Sequence, residues 1–155
     1  MKLTRENFLP WLGLAARLAL GGVLVVAGAI KIPYPYKAAA AMRAYELLPN
    51  SFASFFGYIL PWFEVGLGLL LILGVATRIS GLIGALLMLL FIGAISSAWA
   101  RGLTIDCGCF GGGGQVAAGE TKYLQEIIRD IALAVAGFYL YFRPDSHFAL
   151  DNRGK

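Results

Sequence analysis

Charge, thiols and imidazoles are all scarce in this chain. Of 155 residues only 14% are Asp, Glu, Lys or Arg, against about 25% in a soluble globular chain, while 59% are hydrophobic. That leaves too few polar side chains to cover a water-facing surface, which argues against an ordinary cytosolic enzyme and against a disordered tail. Two cysteines are too few for a secreted disulfide scaffold. With one histidine, His147, placed far from them, a closed zinc site lacks its four ligands, and an iron–sulfur cluster would need cysteines from two chains. No metal site is therefore expected, although soft Cu(I) can use thiolates alone and stays an alternative. The net charge of +4 needs no nucleic-acid partner, because no basic recognition helix or aromatic stacking module accompanies it. What remains is an integral membrane protein of a single domain, 1–155, in contact with lipid.

Four apolar runs occupy residues 11–30, 53–76, 80–99 and 127–142. A helix rising about 1.5 Å per residue needs roughly 20 residues to cross a hydrocarbon core of about 30 Å. The last run reaches that length if its helix starts after Thr121, a good N-cap residue, giving a span over 122–142. The runs are continuously apolar and lack the alternation of barrel strands, so the expected fold is all-α: an integral membrane four-helix bundle. Lys2, Arg5 and Ala27-Gly28-Ala29 imitate a secretory signal, but the stretch contains Arg17 and is too long for a signal core, so it reads as a signal anchor. Between spans 1 and 2, Pro33, Pro35 and Pro49 bracket a small-residue stretch, 37–45, that reads as a short interfacial helix flanked by Tyr34, Tyr36 and Tyr45. Between spans 3 and 4, residues 101–125 form a Gly-rich loop holding both cysteines. Lys and Arg divide evenly between the two faces; those flanking spans most tightly, Lys2, Arg5, Arg78 and Arg143, favour cytoplasmic termini.

Ionisable groups inside spans cost about 2.5–3.5 kcal/mol or more and demand partners. Here they fall on narrow stripes at helical spacing: Arg17, Gly21, Leu24, Gly28 and Lys31; Gly57, Pro61, Glu64 and Gly68; Asp130, Ala134, Gly137 and Tyr141. Small residues on these stripes allow close helix approach, with the charges turned into the bundle. The expected pairs are Glu64 with Arg17 or Lys31, and Asp130 near Arg101 or Lys31. Such pairs commonly fix which helices meet; the functional alternative is a polar pocket or proton path formed by Arg17, Lys31, Glu64, Arg129 and Asp130.

The two cysteines stand one glycine apart in Asp106-Cys107-Gly108-Cys109-Phe110-Gly111, followed by Gly112 to Gly114. A disulfide between such near neighbours constrains little of the unfolded chain, so it would add little as a staple, and a tight exposed ring is readily reduced. Gly108 lets the backbone bend, and Gly111 onward leaves room for another protein's thiolate. Arg101 and Lys122 would favour a thiolate while Asp106 opposes it. The pattern favours thiol–disulfide exchange at Cys107 and Cys109 over inert free thiols.

The ordered set Ala27-Gly28-Ala29-Ile30-Lys31, Leu47-Leu48-Pro49, Pro61-Trp62-Phe63-Glu64 with Gly66 and Gly68, Leu73-Gly74 with Arg78, the cysteine hexapeptide and Arg129-Asp130 closely resembles the MauE branch of the DoxX-like membrane proteins. The resemblance implies a redox-associated four-helix protein of the plasma membrane, with cytoplasmic termini and an extracytoplasmic cysteine loop. It also implies a thioredoxin-fold partner, a role in disulfide formation or maturation of an exported protein and, from quinone-linked relatives, a quinone in the pocket of Arg17, Lys31, Glu64 and Asp130. The competing classes are a non-catalytic anchor within a larger membrane complex and a copper-binding or lipophilic-ligand-binding protein.

Overall fold

A computed structural model describes residues 5–106, 114–115 and 123–151. Its elements are α1 (Arg5–Lys31), α2 (Pro35–Ala44), α3 (Asn50–Leu73), α4 (Thr77–Ala100), β1 (Ile105–Asp106), β2 (Gly114–Gln115) and α5 (Tyr123–Phe142). Three of the helices, over Asn7–Lys31, Asn50–Leu73 and Thr77–Ala100, are long and apolar enough to cross a membrane, which makes this a multi-pass membrane protein by length and composition. The expected fourth span coincides with α5, but that helix carries Glu126, Arg129 and Asp130 and falls short of the same apolarity.

Helix boundaries follow local chemistry. Pro35, with φ already fixed and no N–H to lose, opens α2. The expected second span runs to residue 76, yet α3 stops at Leu73 because Gly74 adopts the left-handed conformation, φ 73°. Its amide then bonds to Leu71 O at 3.1 Å and that of Val75 to Leu70 O at 2.9 Å, which satisfies the last carbonyls of the helix. The cysteine loop region contains a feature that the all-helical reading omits. β1 and β2 pair antiparallel, Ile105 with Gln115 and Asp106 with Gly114.

The helices assemble as two close pairs, α1 on α3 and α4 on α5. Glycines set both. A Cβ on Gly21 would lie 2.8 Å from Gly68 O, and one on Gly137 2.6 Å from Gly81 O, so the backbones nearly touch. α1 also packs on α5, whereas α3 and α4 meet far less closely, and α2 lies across α3 at that gap. All five residues of the first stripe are buried, as are Gly57, Pro61, Glu64 and Gly68 on α3 and Asp130, Ala134 and Gly137 on α5. Phe55, Trp62, Leu90 and Val135 are instead exposed. Charges inside and large apolar groups outside suit a lipid surround.

The segment after α5 closes one end. Asp151 accepts hydrogen bonds from the amides of Ala76 (2.8 Å) and Thr77 (2.7 Å), capping α4, and its own amide donates to Gly74 O at 3.0 Å. Desolvation works to raise its carboxyl, but the Thr77 and Ala76 amides and the Arg17 charge outweigh it and hold Asp151 below the usual carboxylate value. A carboxyl lowered on folding stabilises fully above its unfolded pKa and loses that contribution as pH falls through the lower folded value. Asp151→Ala should therefore cost about 1 kcal/mol at neutral pH, measured by thermal unfolding in detergent, and the gap from wild type should close under acid conditions.

Candidate functional site

The end of α1 delivers Lys31 to the middle of the α3 stripe. Its Nζ lies 3.0 Å from Glu64 Oε2 and 3.2 Å from Oε1, with the two side chains 8% and 1% exposed. Two of the three ammonium N–H bonds are thus spent on one carboxylate. On α5, Arg129 donates through Nε at 3.0 Å and Nη2 at 2.9 Å to Asp130 Oδ1. Asp130 Oδ2 is buried and has no hydrogen-bond partner among the described residues. Glu64, Arg129 and Asp130 line one small cavity of about 10 Å³ with Val23, Leu24, Ala27, Met88 and Phe91. The space is no larger than one water and its exposed walls are apolar.

The structure therefore brings together Lys31, Glu64, Arg129 and Asp130, and it leaves Arg17 out. At about 1.5 Å per residue Arg17 lies about 21 Å down α1 from Lys31. α1 and α3 run antiparallel, which sets Arg17 level with the far end of α3. It donates from Nη1 to Ser146 Oγ at 2.9 Å and from Nη2 to Ile72 O at 3.4 Å, and it is 1% exposed. Of the two partners expected for Glu64, Lys31 is the one found. Asp130 pairs with neither expected cation but with its neighbour Arg129, while Arg101 turns to the Tyr45 carbonyl and to Ser97 O and Oγ. Helical spacing assigns a face to each charge but not the register between helices, and this is why Arg17 looked equivalent to Lys31.

Beside Lys31, where α3 and α4 part, lies a cleft of about 290 Å³. Its walls are Gly57, Leu60 and Pro61 of α3, Phe91 and Ala94 of α4, and Ala38, Ala41 and Met42 of α2, with Tyr45, Leu47 and Leu48 at the turn that follows. Sequence reasoning missed it; the only signal was the small-residue run in α2 facing Gly57, where a Cβ would lie 2.6 Å from Ala39 Cα.

Cys107, Gly108, Cys109, Phe110 and Gly111 lie outside the described residues, and Asp106 is described as the second residue of β1. The strands that bracket them in sequence follow α4 and precede α5, at the bundle end that holds Lys31 and the cleft, and β2 lies against α2. Tyr123, at the start of α5, donates its hydroxyl to the Leu103 carbonyl, which ties both flanks of the loop together. His147 lies at the other end, its ring 4.5 Å from that of Trp11.

The model of the family described as "Methylamine utilisation protein MauE" matches residues 9–143. The methylamine utilization protein MauE of Methylorubrum extorquens is 41% identical over 73 residues, which cover 46% of this chain and 39% of that protein. Its counterpart in Methylophilus methylotrophus is 32% identical over 101 residues, covering 64% of this chain and 53% of that protein. The matches thus span between about two fifths and half of the length of these relatives. No solved structure matches. Because the family match runs from the first turns of α1 to the end of α5, taking in the buried charges, the cleft and the cysteine segment alike, this chain belongs to the MauE family.

Proposed function

We propose that this protein is a membrane thiol–disulfide oxidoreductase that serves the maturation of an exported protein within a larger redox system. The observation that carries the reading is the placement of the Cys107-Gly108-Cys109 pair. It sits in sequence between two strands at the bundle end that also holds the Lys31–Glu64 pair, in a chain whose family is tied by name to methylamine utilisation. In this reading α5 is the fourth span, its charges turned toward α1 and α3, the termini are cytoplasmic and the loop faces outward from the plasma membrane.

The exchange balances simply. A thiolate of a reduced thioredoxin-fold partner attacks Cys107 of the Cys107–Cys109 disulfide, the intramolecular S–S bond breaks, and Cys109 leaves as a thiolate that takes up a proton. The partner's second thiol then attacks the mixed disulfide, frees Cys107 as a thiol and leaves the partner oxidised. Reoxidising the dithiol releases two electrons and two protons, which a membrane quinone accepts as substrate and leaves as quinol. The chain's own contribution to that step is to hold an acceptor near Lys31 and to pass protons by way of Glu64 and Asp130.

Cys109→Ser leaves Cys107 as a lone thiol; running the exchange in reverse, it attacks the disulfide of the oxidised partner, and without Cys109 the mixed disulfide cannot close to the Cys107–Cys109 bond. A mixed disulfide through Cys107 should accumulate as a reducible adduct on a non-reducing gel, with a thioredoxin-fold protein identified in it by mass spectrometry. If neither single variant traps a partner and the double serine variant supports its pathway as well as wild type, the exchange reading is wrong. Labelling of both thiols in intact cells by a membrane-impermeant maleimide tests the orientation, and reaction only after lysis would reverse it.

A further inference from the structure

We propose that the cleft between α2, α3 and α4 is the binding site for the quinone, a flat neutral ring with carbonyl acceptors and an apolar tail, with one carbonyl on Lys31 Nζ. This rests on the electron transfer proposed above for the acceptor, but it places that acceptor by independent geometry. The cleft's volume, about 290 Å³, lies at the lower edge of the roughly 300–1,000 Å³ typical of small-molecule sites. Apart from Lys31 and Tyr45 its lining is apolar.

The charge at Lys31 selects the head group. Lys31 is already neutralised by Glu64, with both carboxylate oxygens within 3.2 Å of Nζ. A second anion, such as a fatty-acid carboxylate or a lipid phosphate, would have to be buried beside Glu64 without a counter-charge of its own. A neutral carbonyl meets no such penalty and can accept the third N–H of the ammonium. Phe91 lines both the cleft and the small cavity of Glu64 and Asp130, so the two spaces share an aromatic wall. Leu47 and Leu48, 51% and 44% exposed, open the cleft to the surroundings and give an isoprenoid tail an apolar way out.

The cleft also lies at the bundle end of the two strands that flank the cysteines in sequence. α2 forms one wall of the cleft, and β2, which follows the cysteine segment, lies against α2. The acceptor would therefore sit at the bundle end where β1 and β2 bracket the cysteines in sequence, instead of at the far end with Arg17.

The test uses the full-length protein in nanodiscs and a short-tailed azido-ubiquinone as photoprobe. Wild type should be labelled saturably, with the adduct mapped to Met42, Leu48 or Phe91, and unlabelled short-chain ubiquinone should compete. Ala94→Trp and Ala38→Phe fill the cleft from opposite walls without touching the ion pair, and each should lower the labelling yield at least tenfold; two variants guard against one failing to fold. Palmitate should not compete. The Cys107→Ser/Cys109→Ser variant should be labelled within twofold of wild type. Labelling unchanged by a folded wall variant, an adduct mapped elsewhere, or equal competition by palmitate would overturn the cleft assignment even if a partner is trapped at Cys107. Conversely, saturable labelling in the cleft with no trapped partner would leave the cleft standing and remove the exchange reading.

Discussion

Replacing Lys31 by methionine should destabilise the helical assembly by about 3–5 kcal/mol, the cost of leaving a buried charge without its partner. Glu64 is 1% exposed, and the ammonium of Lys31 is its hydrogen-bonding cation at 3.0–3.2 Å. Methionine keeps the length and apolar stem of lysine, so the loss falls on the charge and not on packing. The ionised carboxylate must then take up a proton or draw water between α1 and α3, and either outcome loosens the pair. Lys31→Met/Glu64→Leu removes both charges and should recover most of that loss, because two apolar side chains of similar volume avoid the desolvation that the ion pair has to offset. Helicity followed by circular dichroism through a denaturing-detergent titration measures wild type and both variants. A single variant as stable as wild type would mean that Glu64 does not rely on Lys31.

Substituting Gly68 by valine should be nearly as damaging, by about 3 kcal/mol at the upper end of overpacking costs. An added Cβ would lie 2.6 Å from Gly21 O, 2.7 Å from Val25 Cγ2 and 2.9 Å from Val25 N. Two of these neighbours are backbone atoms, so no rotamer change relieves the clash and α1 must move away from α3. That shift also pulls Lys31 from Glu64, since both contacts belong to the same helix pair. Gly66 on the same helix is the control: a Cβ there meets nothing within 4 Å, and Gly66→Val should be close to neutral. Cysteine cross-linking between α1 and α3 in the two variants, with the unfolding titration, checks both expectations.

How much of this was legible beforehand depends on the kind of information each feature carries. The stripes on α1, α3 and α5 could be read because burying an ionisable residue in an apolar helix is costly enough to dictate its face. Most helix ends could be read to within three residues, while α1 starts at Arg5, six residues before the apolar run that begins at residue 11; the miss at the end of α3 came from treating Val75 and Ala76 as a continuation past Gly74, whose left-handed conformation ends the helix. Levels could not be read. The offset between antiparallel α1 and α3 is set by glycine contacts such as Gly21 against Gly68, and it separates Arg17 from Lys31 though both stand on one stripe. The cleft was invisible because it arises from how loosely α3 meets α4, a property of neither helix alone. The pairing of β1 with β2 escaped notice for a simpler reason: two-residue strands beside a glycine run leave no periodic signal.

Arg17 has one further meaning for biogenesis. Its guanidinium is synthesised early, and the hydroxyl that receives it, on Ser146, emerges 129 residues later. Until then the first helix holds a cation with no hydroxyl to satisfy it, at the level where α3 ends, so it must stay near the aqueous boundary or rely on the insertion machinery. The segment after α5 is thus the latch that lets α1 settle, and this end of the bundle closes only after α5 has been synthesised, however early α1 enters the bilayer.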